Sequence, residues 1–159
     1  MRALLQRVTR AEVRVDGKSV GEIAGGLLIL LAVAPADDEF VAAGRAAKVA
    51  GLRSFADGDG LTNLSIGEVG GSALVVSQFT LYADSRRGRR PSFFGAAGPV
   101  VGERLYEVFC EILASTGVPV RQGRFGADMH VELVNDGPFT IWLDSDGLGI
   151  EPRPTPPGV

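Results

Sequence analysis

The sequence is poor in the side chains that most often do chemistry. Its 159 residues hold one histidine, His130, and one cysteine, Cys110. Any Ser-His-Asp or Cys-His arrangement must therefore be built on His130. Two such residues are too few for a zinc site of Cys and His ligands. No metal and no cofactor is expected. His130 sits in an alternating stretch, on the face opposite Met129 and Val131. That position suits a surface or partly buried strand residue better than a catalyst. Cys110 falls inside a helical pattern and reads as a core thiol, because nothing near it in sequence would depress its pKa.

Three other stretches could carry function. Ser77-Gln78-Phe79-Thr80 follows the short apolar run Ala73 to Val76. At a strand end, backbone N–H groups are released from the ladder and could hold an oxyanion. Ser77 or Thr80 could instead be a nucleophile, but each would need a base. The same four residues could also be a polar strand end that satisfies its own backbone. Asn135-Asp136-Gly137-Pro138-Phe139-Thr140 places Gly-Pro between two apolar-alternating segments. An X-Pro bond can be cis at modest cost, which would swing neighbouring carbonyls to one side. Two carbonyls aimed at one point could bind an ammonium group without any carboxylate. An ordinary hairpin turn is the alternative. Arg86, Arg87, Arg89 and Arg90 put four of the sixteen basic residues into five positions. Arginine matches phosphate with a planar fork of donors, so this loop is either a phosphate or RNA contact or a solvated surface.

The elements that would position these groups are legible in outline. Val13 and Val15 alternate with Glu12 and Arg14, as in a half-buried strand within residues 2–15. Asp16-Gly17 is a two-residue hairpin signal, with Val20 to Ile23 as the returning strand. Gly25-Gly26 breaks the chain, and Leu27 to Ala34 reads as a fully buried strand ended by Pro35. Asp37, Asp38 and Glu39 open an Ala-rich helix that runs to about Leu52, with Arg45, Lys48 and Arg53 toward its end. Asp57-Gly58-Asp59-Gly60 is a turn that lacks the later ligands of a calcium loop. Residues 84–99 read as a long loop. Leu105, Val108, Phe109, Ile112 and Leu113 have helical spacing within Gly102 to Thr116, and Gly117 and Pro119 stop that helix. Met129, Val131 and Leu133 form one strand; Phe139, Ile141 and Leu143 form another. Tyr106 and Trp142 suit packing or an interface. Asp144, Asp146 and Glu151 read as solvated acids.

These elements sum to an α+β domain of mainly antiparallel strands with two main helices. Residues 1–146 are expected to form it, with 147–159 as a Pro-rich tail. The chain is 45% hydrophobic and 22% charged, a globular rather than a disordered composition. The most apolar run, Leu27 to Ala34, is far short of a bilayer span, and no signal-peptide pattern opens the chain. The expectation is a cytoplasmic protein with no membrane partner. The net charge of −3 makes general attraction to nucleic acid weak, so the arginine cluster stands out locally.

Taken together, the stretches resemble the D-aminoacyl-tRNA deacylase family (also called D-tyrosyl-tRNA deacylase), bacterial type. The resemblance runs from Met1 to about Asp144. It rests on Met1-Arg-Ala-Leu-Leu-Gln-Arg-Val8, Leu74-Val-Val-Ser-Gln-Phe-Thr-Leu-Tyr-Ala-Asp84, Gly88-Arg-Arg-Pro-Ser-Phe93, Gly123-Arg-Phe-Gly-Ala-Asp-Met129 and Val134-Asn-Asp-Gly-Pro-Phe-Thr140. His130, where the family would have Gln, and the tail depart from it. The resemblance implies a barrel-like β/β/α layered fold and a homodimer whose subunits share each active site. It implies that Ser77, Gln78, Phe79 and Thr80 line the catalytic pocket of one subunit. A cis Gly137-Pro138 pair would enter from the other, grip the substrate ammonium through its carbonyls and exclude L side chains. Arg7 would hold that turn's orientation; Met129, Asn135 and Thr140 would belong to the substrate-binding region. Arg86, Arg87, Arg89 and Arg90 would meet the tRNA. The implied reaction is hydrolysis of the ester between a D-amino acid, or glycine, and the tRNA 3′ end. Two other functions fit the bare residues: a nucleic-acid-binding dimer without turnover, and a hydrolase for another ester using Ser77 or Thr80 with His130.

Overall fold

The computed structural model describes residues 1–145. Asp146 and the expected tail at 147–159 lie outside the described residues. The chain runs β1 (Arg2–Val15), β2 (Lys18–Ile23), β3 (Gly26–Ala32), α1 (Glu39–Ala50), β4 (Phe55–Ala56), β5 (Thr62–Leu64), β6 (Ser72–Ser77), a 3₁₀ turn (Phe79–Tyr82), α2 (Pro99–Ser115), β7 (Val120–Gln122) and β8 (His130–Asp144). No helix among the described residues is long and apolar enough to cross a membrane.

β1 organises the main sheet, whose order is β2-β1-β3-β6-β7 with β8 also on β1. Residues 2–8 of β1 pair with β3 and residues 11–15 with β2, all antiparallel. The β1–β2 connection uses Asp16 at φ 50° and Gly17 at φ 75°, the double positive φ of a tight hairpin. β6 joins β3 in parallel, and β7 joins β6 in parallel. The sheet is therefore antiparallel around β1 and parallel beyond β3. β7 and the small β4–β5 sheet were not expected from the sequence.

The continuous apolar run of β3 follows from burial on both faces. Leu27, Ile29 and Leu31 face the helices, together with Ala3, Leu5, Ala73 and Val75. Against them α1 sets Ala42, Ala46 and Val49, and α2 sets Leu105, Phe109 and Leu113, one stripe per helix. Leu28, Leu74 and Val76 face the other way, against Val8, Val13 and Ile23. Asp38 starts α1 by accepting the Val41 N–H at 2.9 Å. α2 begins three residues earlier than the spacing indicated, with Pro99 at its first position.

The sheet curls until β2 meets β6 and β7, giving a nearly closed, barrel-like layer. Gly21 is the closest approach. A Cβ there would lie 2.7 Å from the Gln122 carbonyl oxygen and 3.2 Å from Leu74 Cδ1. Backbone cannot yield as a side chain can, so Gly21→Ala should push β2 off β7. The expected loss is about 1–3 kcal/mol, seen as a lower urea midpoint at unchanged slope. A midpoint equal to wild type would mean that the closure is loose.

Candidate active site

The C-terminal end of β6 opens into a cavity of about 610 Å³, within the usual range for small-molecule sites. Ser77, Gln78, Phe79 and Met129 line it, with Leu31 to Val33, Phe93, Tyr106 and Phe125. The strand ends there because the chain turns abruptly. The Gln78 N–H still bonds the Leu31 carbonyl at 2.8 Å, and Phe79 then starts the 3₁₀ turn. The first residues of such a turn have no helical acceptor for their N–H groups. Among the described residues, neither the Phe79 nor the Thr80 N–H donates outside that turn. These donors could stabilise an oxyanion at the cavity mouth.

Beyond the exposed Asp128 carboxylate in the lining, the side chains here supply little acid–base chemistry. The Thr80 hydroxyl accepts a short hydrogen bond from Gln78 Nε2, an amide that cannot take a proton from a nucleophile. His130 is exposed, and the cavity lining passes through its neighbours Met129 and Val131 without it. An ester hydrolase built on Ser77 or Thr80 with His130 is therefore not assembled. Cys110 is buried, and desolvation pushes its thiol up to about 12, so it stays protonated and inert at neutral pH. Burial also pushes the Tyr106 phenol upward; its hydroxyl donates to the Val75 carbonyl at 2.8 Å. No cluster of three potential metal ligands occurs among the described residues.

The second stretch corrects the hairpin expectation. Residues 130–144 form one strand that follows β1, not two strands joined by a turn. Pairing passes from Val8↔Asn135 to Gln6↔Thr140. The residues between leave the ladder opposite Arg7 as a bulge. Gly137 and Pro138 are exposed at its crest, and the peptide between them is cis. Gly137 has φ 132°, and a Cβ there would lie 3.0 Å from the Arg7 guanidinium. The base of the bulge is closed by Asn135, which accepts from the Phe139 N–H at 2.7 Å and donates to Thr140 Oγ1 at 3.0 Å. Gln6 donates to the same oxygen at 3.3 Å. Arg7 Nε donates to the Asp136 carbonyl at 3.1 Å, and its Nη1 donates to the Ser54 carbonyl at 2.8 Å. The guanidinium also stacks 4.6 Å from the Phe139 ring.

This bulge does not line the cavity of its own chain. Arg7 pairs with Leu27, whereas the cavity begins at Leu31. Four residues of strand separate them by about 13 Å.

The arginine loop is a closed hairpin. Asp84 and Ser92 exchange backbone hydrogen bonds of 2.8 and 2.9 Å. Arg86 folds back on Asp84 through bonds of 2.8 and 2.7 Å and holds that carboxyl well below its ordinary range. Arg87, Arg89 and Arg90 are exposed. Asp144, expected as a solvated acid, instead accepts from Arg2 Nε at 2.8 Å. Phe93 and Phe125 line the cavity, although neither has an evident role in the sequence alone. Phe93 lies within one of the quoted stretches, beside the arginines, and that adjacency was the available signal.

Comparison with known proteins gives a consistent picture. Residues 4–144 match the sequence model of the family described as D-Tyr-tRNA(Tyr) deacylase. The chain is 58% identical over 144 residues to the D-aminoacyl-tRNA deacylase of Ruegeria pomeroyi, covering 91% of this chain and 99% of that protein. It is 58% identical over 148 residues to the protein of the same name from Thermomicrobium roseum, covering 93% and 96%. Its fold is similar to a solved structure titled c-Myc DNA Unwinding Element Binding Protein, with TM-score 0.86, 37% identity and coverage of 91% and 99%. A probable eukaryotic D-amino acid tRNA deacylase shares the fold at TM-score 0.77 and 20% identity, covering 89% and 97%.

Proposed function

The chain belongs to the D-Tyr-tRNA(Tyr) deacylase family, and from that premise we propose that it hydrolyses D-aminoacyl-tRNA with backbone groups as its working parts. The observation that carries this reading is the strand end at Ser77 to Thr80. Its Phe79 and Thr80 N–H groups make no bond outside the turn, and Ser77 to Phe79 line a cavity whose lining holds no histidine and no cysteine, with the exposed Asp128 as its one carboxylate. The aminoacyl ester at the 3′ end enters the cavity. The Phe79 and Thr80 N–H groups stabilise the oxyanion formed as water attacks the ester carbon. Aminoacyl esters are already reactive, so orientation and a preorganised oxyanion site supply enough. The 2′-hydroxyl of the terminal ribose relays the proton through water, in place of a histidine paired with a nucleophile.

The protein acts as a homodimer. The Gly137-Pro138 bulge of one protomer enters the cavity of its partner. This reading is supported by the bulge standing about 13 Å along the sheet from its own cavity and by its exposed crest. Carbonyls of the bulge hold the substrate ammonium, while its backbone occupies the space an L side chain would need. D side chains point away, and glycine has none, so both are accepted. Asn135, Thr140 and Arg7 keep the bulge in place, and Met129 packs against the substrate. Arg87, Arg89 and Arg90 meet acceptor-stem phosphates; Arg86, engaged with Asp84, shapes the loop. A nucleic-acid-binding dimer without turnover is the second reading, favoured only by the name of the 37%-identical structural neighbour.

One assay separates these readings. Purified protein with D-tyrosyl-tRNA, glycyl-tRNA and L-tyrosyl-tRNA should release tRNA from the first two and leave the third intact. Rapid hydrolysis of the L ester removes the carbonyl gate, and no hydrolysis of any leaves the binding module. Thr80→Ala should slow turnover by less than about 10²-fold, the low end of what losing an acid–base group costs. Turnover falling to background while tRNA binding survives would instead make the hydroxyl chemical. Replacing Arg87, Arg89 and Arg90 by Ala should weaken tRNA binding and reduce its salt slope by roughly 0.9 for each phosphate no longer neutralised. An unchanged slope would return the loop to solvent.

A further inference from the structure

Phe94 is the most exposed large apolar side chain among the described residues, at 95%. It does not line the cavity. Its position is set by a turn. The Ala96 N–H bonds the Phe93 carbonyl at 3.0 Å and leaves Phe94 and Gly95 at the tip. The preceding residue points the other way. Phe93 lies edge-on to Phe79, with ring centroids 5.2 Å apart, and lines the cavity mouth. On the other side of Ser92 stands the closed hairpin with exposed Arg87, Arg89 and Arg90. One short segment thus presents three exposed guanidinium groups, an inward ring at the cavity mouth and an outward ring beside it.

We propose that Phe94 is a stacking platform for an unpaired nucleotide just inside the acylated 3′ end of the RNA. The proposal rests on the reading that the cavity takes that end. A strand whose last residue lies in the cavity and whose duplex portion meets the arginines passes its unpaired nucleotides over the rim formed by the segment that carries all of these residues, Phe94 included. Exposed aromatic rings beside cations are what single-stranded nucleic acid binds, because every base offers a π-face and every linkage a phosphate. Self-association around the same ring fits less well, since two-fold pairing there would bring the arginines of both copies close enough to repel.

Stacking and phosphate contact differ in salt dependence, and the test uses that difference. Binding of uncharged tRNA is measured with its 3′ end intact and with the unpaired 3′ nucleotides trimmed away, for wild type, Phe94→Ala, Phe94→Leu and Phe94→Trp. Phe94→Ala and Phe94→Leu should each weaken binding of intact tRNA by about tenfold, with an unchanged salt slope and no effect on trimmed tRNA. Phe94→Trp should restore wild-type affinity. The proposal is overturned if Phe94→Ala binds intact tRNA like wild type, or if Phe94→Leu restores affinity, which marks a merely apolar contact. It is also overturned if Phe94→Ala sediments as a smaller species than wild type, which assigns the ring to a subunit interface. Wild-type protein that neither binds nor deacylates tRNA defeats the functional reading itself. Wild-type turnover with an indifferent Phe94→Ala defeats the platform alone.

Discussion

The guanidinium of Arg7 is the contact on which the shape of β8 depends. It sits on β1, opposite the one place where β8 leaves the ladder. Its side chain is only 16% exposed; its Nε and Nη1 donate to two backbone carbonyls, Asp136 and Ser54, while its face covers Phe139. A fork of fixed donors can hold two carbonyls and a ring at once; a lysine ammonium has neither the plane nor the spread. The Asp136 carboxylate, 53% exposed and 3.5 Å away, adds little beyond partial charge balance. Asn135 closes the bulge from below by acting as donor and acceptor together. The result is an exposed Gly-Pro crest on a base held by several independent hydrogen bonds. That is the preorganisation a backbone-based recognition element needs, because carbonyls have no rotamers with which to adjust.

The scarcity of titratable groups in the cavity is consistent with this way of working. An apolar pocket depresses the local dielectric, which strengthens whatever fixed dipoles point into it. Apolar surroundings penalise charged side chains, as the raised thiol of the core residue Cys110 illustrates. N–H groups at the Phe79–Thr80 turn carry partial charge without a desolvation cost of that size. They are also fixed by β6, whose central residues are fully buried on both sides of the sheet. A site of this kind trades reactive side chains for placement.

Local signals carried much of the fold. Asp16-Gly17 specified the first hairpin, the Leu27 run specified a doubly buried strand, and the spacing from Leu105 to Leu113 specified α2. What remained hidden was non-local. The parallel pairings of β6 with β3 and of β7 with β6 leave no local mark, and three-residue β7 is too short to show a period. Asn-Asp-Gly-Pro between alternating segments is the pattern of a hairpin turn. Only the register against β1 makes it a bulge in one strand. The candidate site divided in the same way. The cavity-lining Ser77, Gln78 and Phe79 stood out from the strand end itself, while Thr80 lies outside the lining; the contact of Arg7 with the Gly-Pro stretch was expected only through the family resemblance. Arg86 looked equivalent to its neighbours because its partner, Asp84, is revealed by the Asp84–Ser92 bridge and not by spacing.

The placement of exposed rings bears on why the functional surface sits where it does. Phe79, Phe93 and Phe94 are 57%, 38% and 95% exposed and fall within sixteen residues of one another. Scattered single apolar residues on a surface need no explanation, but a cluster at the rim of a cavity does. Left uncovered, it would favour aggregation in a chain of net charge only −3. The adjacent arginines counter this by keeping the rim charged and well hydrated while leaving the ring faces open. A basic, aromatic rim repels a second copy of itself yet suits a polyanion whose bases carry π-faces. On the proposed reading, the same composition that keeps the rim from self-association suits it to nucleic acid.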